Sequence, residues 1–245
     1  IKFSDGSTDY VSENEIELET SKNLEDHYDL IKKGSYGRSA DLRRNLTFVH
    51  LAGRLANLVY SMGITNTDFY PHQYKPLLTL LESPTNGILI ADEVGLGKTI
   101  EAGLIWTEMR ARYDMRRLLV ICPAMLREKW RDELMLRFGI NAKIVDAKNL
   151  LDDLKLPRSL TGDGEAWVAS YQSLRPPKDW KSNKENIKNP SARRRLCDFL
   201  EENAEGDTLL DMVVFDEAHY MRNEDSAAYS LGNLVRDVSD YLILL

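Results

Sequence analysis

Two short segments carry residue types suited to handling a nucleoside triphosphate. The first is Ala91-Asp92-Glu93-Val94-Gly95-Leu96-Gly97-Lys98-Thr99, which follows the apolar run Gly87-Ile88-Leu89-Ile90. Gly95 and Gly97 let backbone N–H groups turn inward around phosphate oxygens, and a helix starting at Lys98 adds the partial positive charge of its N-terminus. In such a loop Lys98 reaches the β- and γ-phosphates, and Thr99 offers its hydroxyl to Mg²⁺. The general pattern asks for Gly five residues before Gly97, and Asp92 stands there instead. The second segment is Met212-Val213-Val214-Phe215-Asp216-Glu217-Ala218-His219, an apolar run ending in two adjacent carboxylates. Asp216 is expected to hold Mg²⁺, directly or through water, while Glu217 orients and deprotonates the attacking water. Either segment alone has an ordinary explanation, as a turn or a strand end. Together, about 120 residues apart in one chain, they predict hydrolysis of a nucleoside triphosphate.

Weaker candidates accompany these two. Gln73, in Phe69-Tyr70-Pro71-His72-Gln73, has the two-way amide that matches an adenine edge, or it faces solvent in a first helical turn. His219 either couples the nucleotide to a neighbouring domain or is satisfied by local hydrogen bonds. Trp106 and Trp130 fall at helical spacing and read as packing groups. Arg193-Arg194-Arg195 either touches a phosphate backbone or forms a solvated face.

These residues need a scaffold that presents them on one edge. From residue 88 the pattern alternates strand, turn and helix. Strands are predicted at 88–91, 118–122, 142–145, 166–170, 212–215 and 241–245, with helices at 98–112 and 124–138 closed by Gly139. Short apolar strands alternating with helices predict an α/β fold with a parallel, doubly wound sheet, and Asp216 then lies at its carboxyl edge, where such sheets bind ligands. The run 88–91 reads as a fully buried strand, residues 176–190 as an exposed loop and 191–203 as a surface helix. Before the sheet, Asp5-Gly6 marks a β-hairpin within 1–18, and helices are expected at 24–33 and 39–63, the latter capped by Ser39. A linker at 64–70 leads into a helix opened by Pro71. The domain boundary falls at 67/68, with 1–67 an accessory region able to meet protein partners.

Composition narrows the class. The 245-residue chain has a net charge of −7, all of it in the first thirty residues, where nine acids face Lys2 and Lys22. The remainder is neutral, and residues 175–195 hold eight bases against Asp179 and Glu185. That is compatible with local phosphate contacts without predicting them. Cys122 and Cys197 make neither a disulfide framework nor a zinc site, no apolar run is long enough to span a bilayer, and no signal peptide opens the chain. The expectation is an intracellular, cytoplasmic chain with no membrane partner. Its start at Ile1 and its end on Tyr241-Leu242-Ile243-Leu244-Leu245 read as a piece of something longer.

The segments Asp92-Glu93-Val94-Gly95-Leu96-Gly97-Lys98-Thr99 and Asp216-Glu217-Ala218-His219 resemble those of the switch/sucrose-non-fermenting family of ATPases, within helicase superfamily two. Asp-Glu before Gly-x-Gly-Lys-Thr is that family's own form of the loop, with Val94 where many members carry Met. Gln73 is similar to its adenine-reading glutamine. Val120-Ile121-Cys122-Pro123 through Trp130 is similar to its second motif and Ala169-Ser170-Tyr171 to the next; both face the DNA backbone in that family. The resemblance covers 68–245. It implies the first of two RecA-like lobes, an ATP-binding P-loop lobe with Mg²⁺ as cofactor. It further implies Asp92, Glu93, Val94 and Leu96 as part of the nucleotide loop, and Pro123, Arg127, Ser170 and Tyr171 as backbone contacts. The implied partners are double-stranded DNA and a second lobe in the same full-length chain, whose arginine finger this sequence lacks. The wording of the loop is similar to bacterial members, including RNA-polymerase-recycling and phage-defence types. An unwinding DNA or RNA helicase of the same superfamily, or a nucleotide-gated adaptor that recruits partners, stays open as an alternative.

Overall fold

The sheet is set by alternation along its central strands. In the computed structural model β2 (Arg117–Cys122) and β5 (Leu210–Phe215) are buried at every position. Leu118, Val120 and Cys122 join one apolar cluster, while Leu119 and Ile121 join another. Met212 and Val214 against Val213 and Phe215 repeat the split. A strand whose two faces enter different cores must be covered on both sides, so the layers are helix, sheet, helix. The structure describes residues 59–61, 65, 70–91, 97–158, 164–178, 180 and 189–245. The hairpin expected at 1–18, the helix at 24–33, all of the helix at 39–63 but 59–61, and residues 92–96 lie outside the described residues.

In chain order, a 3₁₀ turn at Pro71–Tyr74 leads into α1 (Lys75–Glu82) and β1 (Gly87–Leu89). Then come α2 (Lys98–Tyr113), β2, α3 (Arg127–Phe138), β3 (Ala142–Ile144), α4 (Ala147–Leu154), β4 (Glu165–Ser170) and the short α5 (Tyr171–Leu174). The chain closes with α6 (Ala192–Glu202), β5, α7 (Ala227–Arg236) and β6 (Ser239–Leu244). The six strands run in the order β1-β6-β5-β2-β4-β3, every pair parallel. All carboxyl ends therefore share one edge. β1 and β5 flank β6, so their ends stand two strand spacings apart, about 10 Å.

Two expectations are corrected. The run at 88–91 is not a fully buried strand. β1 is three residues long and pairs only with β6 at the sheet border, leaving Leu89 63% exposed. An outermost strand has no neighbour to cover its free side. Nor is the 176–190 segment wholly an exposed loop. Trp180 is buried, its indole N–H donates to Asp198 at 2.8 Å, and its carbonyl accepts from Arg194 at 3.2 Å. Arg194 is itself buried, so the middle of the Arg193-Arg194-Arg195 run is a structural tie, because its guanidinium satisfies a backbone carbonyl that burial would orphan.

Residues 60 and 61 are tied to α2. Ser61 N–H donates to Glu108 Oε2 at 2.8 Å, Arg112 reaches Glu108 Oε1 at 2.6 Å, and the same guanidinium lies over the Tyr60 ring at 5.4 Å. Glu108 is fully buried, and these two bonds are what make its burial tolerable. The helix thus carries the nucleotide-loop residues at its start and an anchor for residues 60–61 near its end.

Candidate nucleotide site

The site is built from what leaves the carboxyl edge at β1 and β5. Gly97 takes φ +100° and caps α2, a left-handed conformation open to glycine at no steric cost. A Cβ there would stand 2.5 Å from Gln73 Nε2, so glycine is what allows the Gln73 amide to close on the start of α2. Lys98 and Thr99 are the first two residues of that helix, half-buried. Gln73 is only 5% exposed. It is not the solvent-facing amide that was the alternative reading.

Across β6, the end of β5 presents Asp216 and Glu217. The backbone N–H of Asp216 donates to the Ile121 carbonyl at 2.9 Å, extending the sheet by one residue. Its carbonyl accepts the Tyr171 hydroxyl at 3.0 Å, and its Oδ2 accepts the Trp130 indole N–H at 2.7 Å. Burial pushes the Asp216 carboxyl up from its ordinary value; the Trp130 hydrogen bond opposes this, and the positive charge of Lys98 acts in the same opposing sense.

Glu217 caps the following 3₁₀ turn (Ala218–Met221) with φ 57° and ψ 51°. It and Asp114 are the only non-glycine residues with positive φ among those described. Its side chain is 43% exposed, and Oε2 lies 3.1 Å from His219 Nδ1. His219 stacks on Tyr220 at 4.7 Å, and Tyr220 in turn meets Tyr171 at 5.5 Å. A left-handed acid at a strand end is local strain, of order 1–3 kcal/mol, of the kind that collects at functional sites. Glu217→Gly is therefore expected to raise stability by roughly 0.5–1 kcal/mol, read as a higher urea midpoint at unchanged slope. A lower midpoint would mean that the side chain contributes more than its backbone costs.

The oxygen donors fit Mg²⁺. Asp216 and Thr99 supply one carboxylate and one hydroxyl, and this hard cation typically takes few protein ligands, filling the rest with phosphate and water. No cluster of three or more His, Cys, Asp or Glu side chains able to hold a metal occurs among the described residues.

The expected DNA contacts divide. Pro123 and Arg127 are part-exposed at the carboxyl end of β2 and the start of α3, with Arg127 Nε donating to the Ala124 carbonyl at 3.1 Å. Ser170 and Tyr171 are buried. The Ser170 hydroxyl caps α5, accepting from Ser173 N–H, and the Tyr171 hydroxyl is bonded to Asp216. The polar atoms of these two side chains are engaged inside the lobe. The residue the sequence undervalued is Trp130. Its ring does pack in the core, as expected, yet its N–H is the direct partner of Asp216. Cavities of about 270 and 290 Å³ that share Trp106, Arg110 and Ile140 open instead beside the starts of β2 and β4, at the edge opposite these residues.

Residues 42–238 match the SNF2-related domain family. RNA polymerase-associated protein RapA of Actinobacillus pleuropneumoniae is 28% identical over 199 residues, covering 80% of this chain and 19% of that protein. RapA of Photobacterium profundum is 30% identical over 161 residues, 64% of this chain and 14% of that one. The ATP-dependent helicase YqhH of Bacillus subtilis is 36% identical over 107 residues, 44% of this chain and 18% of its own length. The chain thus spans about a fifth or less of these relatives. Among solved structures, the Sulfolobus solfataricus SWI2/SNF2 ATPase core in complex with dsDNA is similar at a TM-score of 0.49 and 20% identity, over 74% of this chain and 32% of that one. No helix among the described residues is long and apolar enough to cross a membrane.

Proposed function

The chain belongs to the SNF2-related family of helicase-like ATPases, and from that premise we infer that it is the first, ATP-hydrolysing lobe of a motor that tracks along double-stranded DNA. The observation that carries this reading is the convergence of Lys98 and Thr99, at the start of α2, with Asp216 and Glu217, at the end of β5, on one edge of a parallel sheet. Residues 68–245 form the lobe and 1–67 an accessory region open to protein partners.

In this reading the phosphates of ATP lie at the N-terminus of α2, where backbone N–H groups and Lys98 hold them. Gln73, closed on Gly97, reads the adenine edge. Thr99 and Asp216 would hold Mg²⁺, which would supply charge neutralisation to the phosphates. Glu217 takes the proton of the attacking water, and its near-exposed position leaves it room to do so. His219, bonded to Glu217, passes the state of the site toward the neighbouring lobe. That second lobe, in the same polypeptide, brings an arginine to the phosphates, a contribution worth ~10³–10⁵ in rate in other NTPases. The isolated lobe accordingly binds Mg·ATP but turns it over slowly.

Pro123 and Arg127 form the backbone-facing edge. The RapA relatives are named for association with RNA polymerase, which favours a role beside transcription over one in defence, in the cytoplasm of a bacterium. The test is strand tracking. The full-length protein should displace a third strand from duplex DNA while fuelled by ATP, without separating the duplex itself. Separation of the two strands would make it an unwinding helicase, and neither activity despite ATP binding would leave a nucleotide-gated adaptor.

A further inference from the structure

We propose that Trp130 is a positioning residue for the hydrolytic centre, its indole N–H holding one oxygen of Asp216 so that the other faces metal and phosphate. The proposal rests on the ATPase reading above and deepens it.

Asp216 is fixed at three points. Its N–H belongs to the sheet through Ile121, its carbonyl is held by Tyr171, and Trp130 takes Oδ2 at 2.7 Å. The first two bonds set the backbone. What they leave free is rotation of the carboxylate, and the third removes it. An indole N–H can only donate, so the contact admits one polarity and one oxygen. Trp130 is well suited to this, being 2% exposed and packed in the same cluster as Leu134 and Val120. A donor set in the core does not follow the carboxylate if it turns. A hydrogen bond to an ionised acceptor is also about twice as strong as a neutral one.

The helix that carries Trp130 begins three residues earlier at Arg127, and residues three apart share a helix face. Whatever holds Arg127 is therefore one turn from the group that orients Asp216. The arrangement makes α3 the physical link between the polymer-facing edge and the metal carboxylate.

The experiment is Trp130→Phe in the full-length protein, which keeps an aromatic ring in the core and removes the N–H. Mg²⁺ is titrated against binding of a fluorescent ATP analogue, and ATP turnover and thermal midpoint are measured beside it. Partners at this distance from a metal typically change affinity or activity about 10–100-fold when removed. The expected result is a loss of that size in kcat and a comparable rise in the Mg²⁺ needed for nucleotide binding, with ATP KM at saturating Mg²⁺ little changed. In an Asp216→Ala background the same substitution should add almost nothing, because the oxygen that the indole holds is gone.

Incorporating 3-benzothienylalanine in place of Trp130 keeps the ring shape and deletes only the N–H, so it reads the bond even where Phe loosens the core. Wild-type Mg²⁺ dependence and kcat in these variants, or an equal loss in the Asp216→Ala background, would overturn the proposal and leave Trp130 a packing residue. Absence of Mg²⁺-dependent ATP binding in the wild type would instead overturn the functional reading, and the proposal with it.

Discussion

Glu217→Gln is expected to leave ATP bound and unhydrolysed. A positioned general base contributes about 10²–10⁴-fold, and kcat should fall by that factor, whereas nucleotide affinity should change little because Glu217 touches water rather than phosphate in this account. The fold should be indifferent. The side chain is half-exposed and its one recorded partner is His219, a surface contact worth ~0–1 kcal/mol whose acceptor oxygen Gln retains. Equilibrium nucleotide binding and single-turnover hydrolysis, measured on the same preparation, separate the two effects. A variant that loses binding as well would show that Glu217 holds the nucleotide instead of activating water.

Lys98→Ala should do the opposite in order, removing binding first. In the proposed function the ammonium at the start of α2 meets the β- and γ-phosphates, and a hydrogen bond to a charged group is worth about 1.5–3 kcal/mol. ATP affinity should therefore drop roughly 10–150-fold, with turnover at saturating ATP falling as well. The pair of variants also discriminates between functions. A motor needs both residues, so both substitutions abolish activity in the cell. An adaptor gated by nucleotide needs only Lys98, and Glu217→Gln would leave it working.

The sequence was informative wherever a signal is local. The short apolar runs at 118–122 and 212–215 predicted strands, and both are buried on two faces. Gly139 closes α3 with φ 64°, as its place at the end of the predicted helix suggests. α4 and α7 were not assigned from the sequence, although their caps Asp146 and Ser226 are local signals. Strand order is another matter. Nothing in Gly87-Ile88-Leu89 says that it borders the sheet, because that depends on where β6, some 150 residues later, inserts.

The same limit explains the site. Lys98, Thr99, Asp216 and Glu217 could be named from motif chemistry, since each sits beside its strand or helix in the chain. The Trp130 bond to Asp216 spans 86 residues, and a tryptophan at helical spacing looks the same whether or not its N–H has a task. Ser170 and Tyr171 were named by resemblance to a motif that faces the DNA backbone, and their burial at the end of a central strand beside α5 had no local signal. The left-handed backbone of Glu217 had no signal, because the residue type there is the one chemistry demands and not the one the backbone prefers.

The most direct measurement is ATP turnover by the full-length protein, with no polymer, duplex DNA, single-stranded DNA and RNA in parallel at stated salt, since backbone contacts weaken steeply as salt rises. This account predicts strong stimulation by duplex DNA alone. Stimulation confined to single strands or RNA, or no turnover with any polymer despite ATP binding, would contradict it.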